Sequence, residues 1–126
     1  MPFPFAVTSV AFPSIATASR RDVLWDDCRN SLGIARLLVQ EQRPSALVGT
    51  ACRMAVETCC RAALDQAGHR FEGDVERALL RLAAPRGLWD AEEPGSGAER
   101  LAAAEKVVAW VAKYLRSEAP ERSWGY

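Results

Sequence analysis

Histidine is almost missing from this chain: His69 is the only one. One imidazole cannot supply the ligand pairs of a di-iron bundle or an H-E-x-x-H protease, and neither pattern occurs. Net charge is missing too. Sixteen basic residues balance sixteen acidic ones. That leaves no electrostatic case for wrapping nucleic acid or lying on an anionic membrane. It also gives little protection against self-association. The glycines are scattered and form neither GxGxxG nor GxxxxGK, so no phosphate loop is expected. No internal repeat is visible. Period-2 alternation is lacking beyond the first nineteen residues, which excludes a sheet as the organising element.

Those first nineteen residues, MPFPFAVTSVAFPSIATAS, carry no charge. Pro2, Pro4 and Pro13 interrupt them, and they are too short for a transmembrane span. Ala16-Thr17-Ala18 resembles a signal-peptidase site, but no basic segment precedes it, so a signal peptide is not expected. The expectation is an extended arm whose Phe3, Phe5, Val10 and Phe12 pack on the bundle or on a second subunit.

Four cysteines are present, Cys28, Cys52, Cys59 and Cys60, without a C-x-x-C spacing. Adjacent Cys59 and Cys60 point about 100° apart on a helix, which argues against one small metal site. They read as small buried hydrophobes. Unbridged thiols fit a reducing compartment, so the expected location is cytoplasmic. No metal and no cofactor are expected.

What remains is a chain of 126 residues, 49% hydrophobic and 25% charged, the length and mix of one globular domain. Its strongest signal is the stretch from Pro44 to Gly68. Leu47, Val48, Ala51, Cys52, Ala55, Val56, Cys59, Ala62 and Ala63 cover most of a helix there. Gly49, Cys52, Val56, Cys59 and Ala63 make a low ridge that admits a close neighbour. The one charged stripe is Arg53, Glu57, Arg61 and Asp65, at steps of four, able to form alternating ion pairs. Such a helix belongs at the centre of a bundle.

A first helix is expected from Arg21 to Gln42, with Leu24, Cys28, Leu32, Ala35 and Val39 on its apolar face, widened by Trp25 and Leu38. Acids lead it and arginines follow, the order the helix dipole favours. Pro44 cannot continue it and suits the opening of the second helix, with Ser45 or Arg43 near the cap. Two helices so tightly joined lie antiparallel. A third, shorter helix is expected from Asp74 to Ala84, ended by Pro85 and Gly87. Leu88 and Trp89 in the following acidic loop should tuck back onto the bundle. Ser96-Gly97-Ala98-Glu99 has capping-box spacing and opens a fourth helix to about Arg116. Leu101, Ala104, Val108, Val111 and Leu115 form its seam, flanked by Val107, Trp110 and Tyr114. Trp124 and Tyr126 are candidate anchors for the tail. The reading is all-α: an arm over residues 1–19 and an antiparallel four-helix bundle over residues 20–126.

Chemistry is less visible. A Cys–His nucleophile pair would need His69 near Cys60, which lies roughly 13 Å back along the helix axis. Arg53, Glu57 and Arg61 could instead bind a phosphate or a carboxylate through arginine forks. They are the candidate binding residues, against the simpler reading of a solvated stripe.

The helix sequences resemble the HEPN family (higher eukaryotes and prokaryotes nucleotide-binding domains) over about residues 22 to 117. Ala51-Cys52-Arg53-Met54-Ala55-Val56-Glu57, then Arg61-Ala62-Ala63-Leu64 and Gly68, are similar to that family's long second helix. Ala35-Arg36-Leu37-Leu38 resembles the end of its first. Asp74-Val75 and Leu79-Leu80-Arg81-Leu82 stand where the family often has His-Asp-Leu and a Leu-Leu pair, and Ala104-Glu105-Lys106-Val107-Val108 with Val111 is similar to its closing helix. Ribonuclease members carry an Arg followed four to six residues later by a His. Here no Arg precedes His69 at that distance. The resemblance therefore implies a non-catalytic member: a nucleotide- or protein-binding module, often dimeric, similar to the partners of minimal nucleotidyltransferases. Glu57 and Arg61 match the family's acidic and basic positions on that helix. The alternatives are a structural assembly subunit and a ribonuclease with a non-standard residue set.

Overall fold

The computed structural model describes residues 19–90 and 95–126, and these form four helices and no strand. The arm expected over residues 1–19 lies outside the described residues except for Ser19. Helix α1 spans Arg20–Gln40, α2 Ser45–Ala67, α3 Val75–Arg81 and α4 Gly97–Glu118. Together they make the antiparallel four-helix bundle that the apolar periodicity implies.

The helix ends follow from local chemistry. Ser19 opens α1, its hydroxyl accepting from the Asp22 amide at 3.1 Å. The helix stops at Gln40, because Gln42 takes a left-handed conformation (φ 56). The Arg43 amide then donates back to the Leu38 carbonyl at 2.9 Å. Pro44 itself caps α2, in place of Ser45 or Arg43. Its φ of −55 suits a helix entrance, and its carbonyl accepts from Leu47 and Val48. Gly68, at φ 78, closes α2, and the His69 amide reaches the Leu64 carbonyl at 2.8 Å.

Helix α3 is shorter than its apolar pattern implies. Asp74 caps it through the Arg77 amide, but Ala83 turns left-handed (φ 61). The Ala84 amide bonds to the Leu79 carbonyl at 2.9 Å, which ends the helix early. A left-handed residue with a Cβ is strained. Ala83→Gly and Gln42→Gly should therefore each raise stability by about 0.5–1 kcal/mol in urea denaturation.

Helix α4 opens on the complete capping box. The Glu99 amide donates to Ser96 Oγ at 3.2 Å, and the Ser96 amide donates to Glu99 Oε1 at 3.0 Å. These bonds hold the Glu99 carboxyl below its ordinary value. Their support is present above the ordinary Glu range and fades as pH falls through the lowered value.

Helix α2 is central, packing against α1, α3 and α4, while α1 also meets α4. Its ridge of Gly49, Cys52, Val56, Cys59 and Ala63 is buried throughout. At Gly49 the close neighbour is a side chain: an added Cβ would lie 2.6 Å from Arg100 Nη1. A second close approach is at Gly97, where an added Cβ would meet Val48 Cγ2 at 3.0 Å. No described polar or charged residue is buried, so the core is apolar.

All four cysteines are free and buried. Burial pushes the Cys52 thiol up to about 11. Burial also raises Cys59, which lies beside Cys28 and Cys60. Such thiols are inert packing groups at neutral pH. Among the described residues no cluster of His, Cys, Asp or Glu could hold a metal ion. None of the described helices is long and apolar enough to cross a membrane. Leu88 and Trp89 pack against the core, as expected, and so do Trp110 and Tyr114, their rings stacked 5.9 Å apart.

Candidate functional site

The charged stripe of α2 does not converge as a unit. Steps of four residues advance 400°, so the stripe drifts about 40° at each step. Arg53 and Arg61 are thus separated by about 80° of rotation and roughly 12 Å along the axis. Arg53 and Arg61 are exposed and Glu57 is half-buried. The alternating ion pairs are not formed: among the described residues no salt bridge joins Arg53, Glu57, Arg61 or Asp65.

Arg61 is the member of the stripe that gains tertiary neighbours. Its guanidinium lies over the Phe71 ring, 4.8 Å from the centroid. It lines a cleft of about 400 Å³ with Arg20, Leu24, Asp65, His69, Arg70 and Phe71. Arg53 and Glu57 do not line this cleft. Three separate segments build it. Arg20 is the first residue of α1, Arg61 and Asp65 belong to the last turns of α2, and His69 to Phe71 follow the Gly68 turn. That turn brings the chain back across the end of α2, so the left-handed glycine positions the cleft's third wall.

The electrostatics are one-sided. The side chains of Arg20 and Arg70 make no ion pair or hydrogen bond among the described residues, and that of Arg61 makes only its ring contact. Asp65 is the one carboxylate in the lining. Arg81 sits 3.4 Å from His69 Nδ1. A guanidinium can only donate, so Nδ1 accepts and the imidazole proton sits on Nε2. Sequence reading reached Arg61 but not Arg20, Arg70 or Phe71. Arg20 is far from Arg61 in sequence, and no spacing rule links them.

The same side of the bundle becomes apolar towards the α1–α2 turn. Leu47, Met54 and Arg61 are spaced by heptads and run along one line of α2, as Leu24 and Leu38 do on α1. Leu24 and Arg61 share the cleft. Leu38 and Leu47 are the members of the two lines nearest the turn. Leu47 is 48% exposed and Met54 55%; beside Leu38 on α1, Ile34 is 55% and Leu37 52% exposed. These are large aliphatic side chains half in water on adjacent helices. They lie outside the apolar core.

Comparison with known proteins adds no relative: no family model matches the chain, and neither a curated protein nor a solved structure does.

Proposed function

We propose that this chain is a non-catalytic, HEPN-like interaction module that binds a protein partner on the outer face of the α1–α2 hairpin. The carrying observation is the group of half-exposed aliphatics, Ile34, Leu37, Leu47 and Met54, on neighbouring helices. Exposed aliphatics on neighbouring helices favour a protein interface over bulk water. The stripe residues Arg53, Glu57 and Arg61 border that face and suit a polar rim. The partner classes are a second copy of the chain and a nucleotidyltransferase-type protein. A nucleotide is the alternative ligand, with Arg61 as its contact.

The test uses Met54→Lys combined with Ile34→Glu, both at exposed positions that leave the core intact. Light scattering across a concentration series should show wild-type self-association, or titration with a co-encoded nucleotidyltransferase should show binding. The double variant should weaken either by about a hundredfold, the loss of one hot spot. A wild-type monomer that binds no such partner, with thermal stability intact, would remove the reading.

A further inference from the structure

We infer that the cleft between the start of α1 and the end of α2 is a binding site for a small phosphate-bearing ligand, held by Arg20, Arg61 and Arg70. The inference deepens the nucleotide alternative, on which it rests, and is independent of a protein partner.

Three arginines line the cleft against the single carboxylate of Asp65, and His69 accepts at Nδ1 from Arg81. The lining therefore carries a net charge of +2, the three arginines less Asp65. That complements a phosphate monoester, which is close to dianionic at neutral pH. An exposed arginine needs no explanation by itself. Three from three segments, with no ion pair among the described residues, leave the positive charge of the lining uncompensated.

Arg61 is already placed, its guanidinium held over Phe71 at 4.8 Å. That contact fixes a planar fork with little entropy left to lose on binding. Arg20 and Arg70 are anchored at their backbones by a helix start and by the turn after Gly68, two separate segments of the lining. Arginine forks suit the oxygens of a phosphate, which can accept from several donors at once.

The cleft holds about 400 Å³, room for more than a bare phosphate and within the ordinary range for small-ligand sites. Leu24 and Phe71 are half-buried in its lining. They give the organic part of the ligand an apolar floor beside the charged wall.

The experiment is calorimetric titration of the full chain at low ionic strength with pyrophosphate, AMP, ADP and adenosine, repeated on Arg70→Gln and Arg20→Gln. Both positions are exposed and without partners among the described residues, so the variants should melt like the wild type. The expected result is binding of pyrophosphate and of both nucleotides, none of adenosine, and about tenfold or greater weakening in each variant. Arg53→Gln should bind like the wild type, since Arg53 lies outside the cleft. Adenosine binding as well as ADP would overturn the phosphate assignment while leaving a nucleotide site in place. Nucleotide binding unchanged in Arg20→Gln and Arg70→Gln would place the ligand elsewhere. No binding by any of the four compounds would remove both the phosphate site and the nucleotide alternative.

Discussion

Trp124→Ala should cost about 3–5 kcal/mol of stability, a large part of what a domain of this size has. The indole is 1% exposed although it lies near the end of the chain. It meets Trp25 of α1 edge to face, with centroids 5.6 Å apart and planes at 84°. Its Nε1 donates to the Ala119 carbonyl at 2.8 Å. Arg21 and Arg122 lie over the ring at 4.9 and 4.7 Å. Trp25 is fully buried, and its Nε1 donates to the Gly125 carbonyl at 3.4 Å. Removing the Trp124 ring opens a cavity beside Trp25, leaves both arginines without their aromatic surface and releases the tail. Trp124→Phe should recover a large share of the loss, because it restores apolar bulk but not the donor. Urea denaturation measures both. A loss below about 1 kcal/mol in Trp124→Ala, the level of a surface change, would mean the tail is not part of the core.

The ion pairs beneath the tail give it a pH dependence of known sign. Arg122 bonds to Asp22 at 3.2 Å and to Asp26 at 3.4 Å, and Arg21 holds Asp22 at 2.9 Å. Partial burial raises the Asp22 carboxyl, but the two arginines outweigh it and leave it below its ordinary value. The folded form therefore binds this proton less readily than the unfolded one. The stability Asp22 contributes is complete above the ordinary Asp range and is lost as pH falls through the lowered value. All these side chains are partly exposed, so the contribution is small beside that of the tryptophans.

Ala55→Leu should be the next largest effect, a loss of about 1–3 kcal/mol or more from overpacking. Ala55 is completely buried on α2, the helix that touches the other three. Its neighbours on that helix include Ala51, Ala62 and Ala63, all small and buried. Small side chains there let α1 and α4 close on α2, and a leucine would have to push one of them away. Met54→Leu, one position earlier and 55% exposed, should change stability by less than about 0.5 kcal/mol. Equal losses in the two variants would show that α2 is not packed tightly at Ala55.

Much of this fold is legible in the chain because its causes are local. The Ser96–Glu99 capping box, the Gly68 stop and the α1–α2 break at Pro44 act through bonds within a few residues. The apolar faces of α1, α2 and α4 follow from periodicity, and Cys28, Leu32, Val56 and Val108 are buried where it puts them. The length of α3 is less legible. Its apolar pattern continues past Arg81, but the backbone turns at Ala83, a residue with no turn preference.

The candidate site divides in the same way. Arg53, Glu57 and Arg61 share a pattern of four-residue steps, which marks them as one stripe but does not say which of them has neighbours. Packing decides that. It brings the start of α1 and the loop after Gly68 to Arg61 alone, and the helical drift carries Arg53 away. The chain by itself determined an all-α bundle with α2 at its centre, because periodicity, caps and breaks are short-range effects carried by neighbouring residues. Only the tertiary structure decided that Trp124 joins the core and that Arg20, Arg61 and Arg70 line one cleft. Those placements depend on contacts between residues far apart in sequence, for which no local pattern exists.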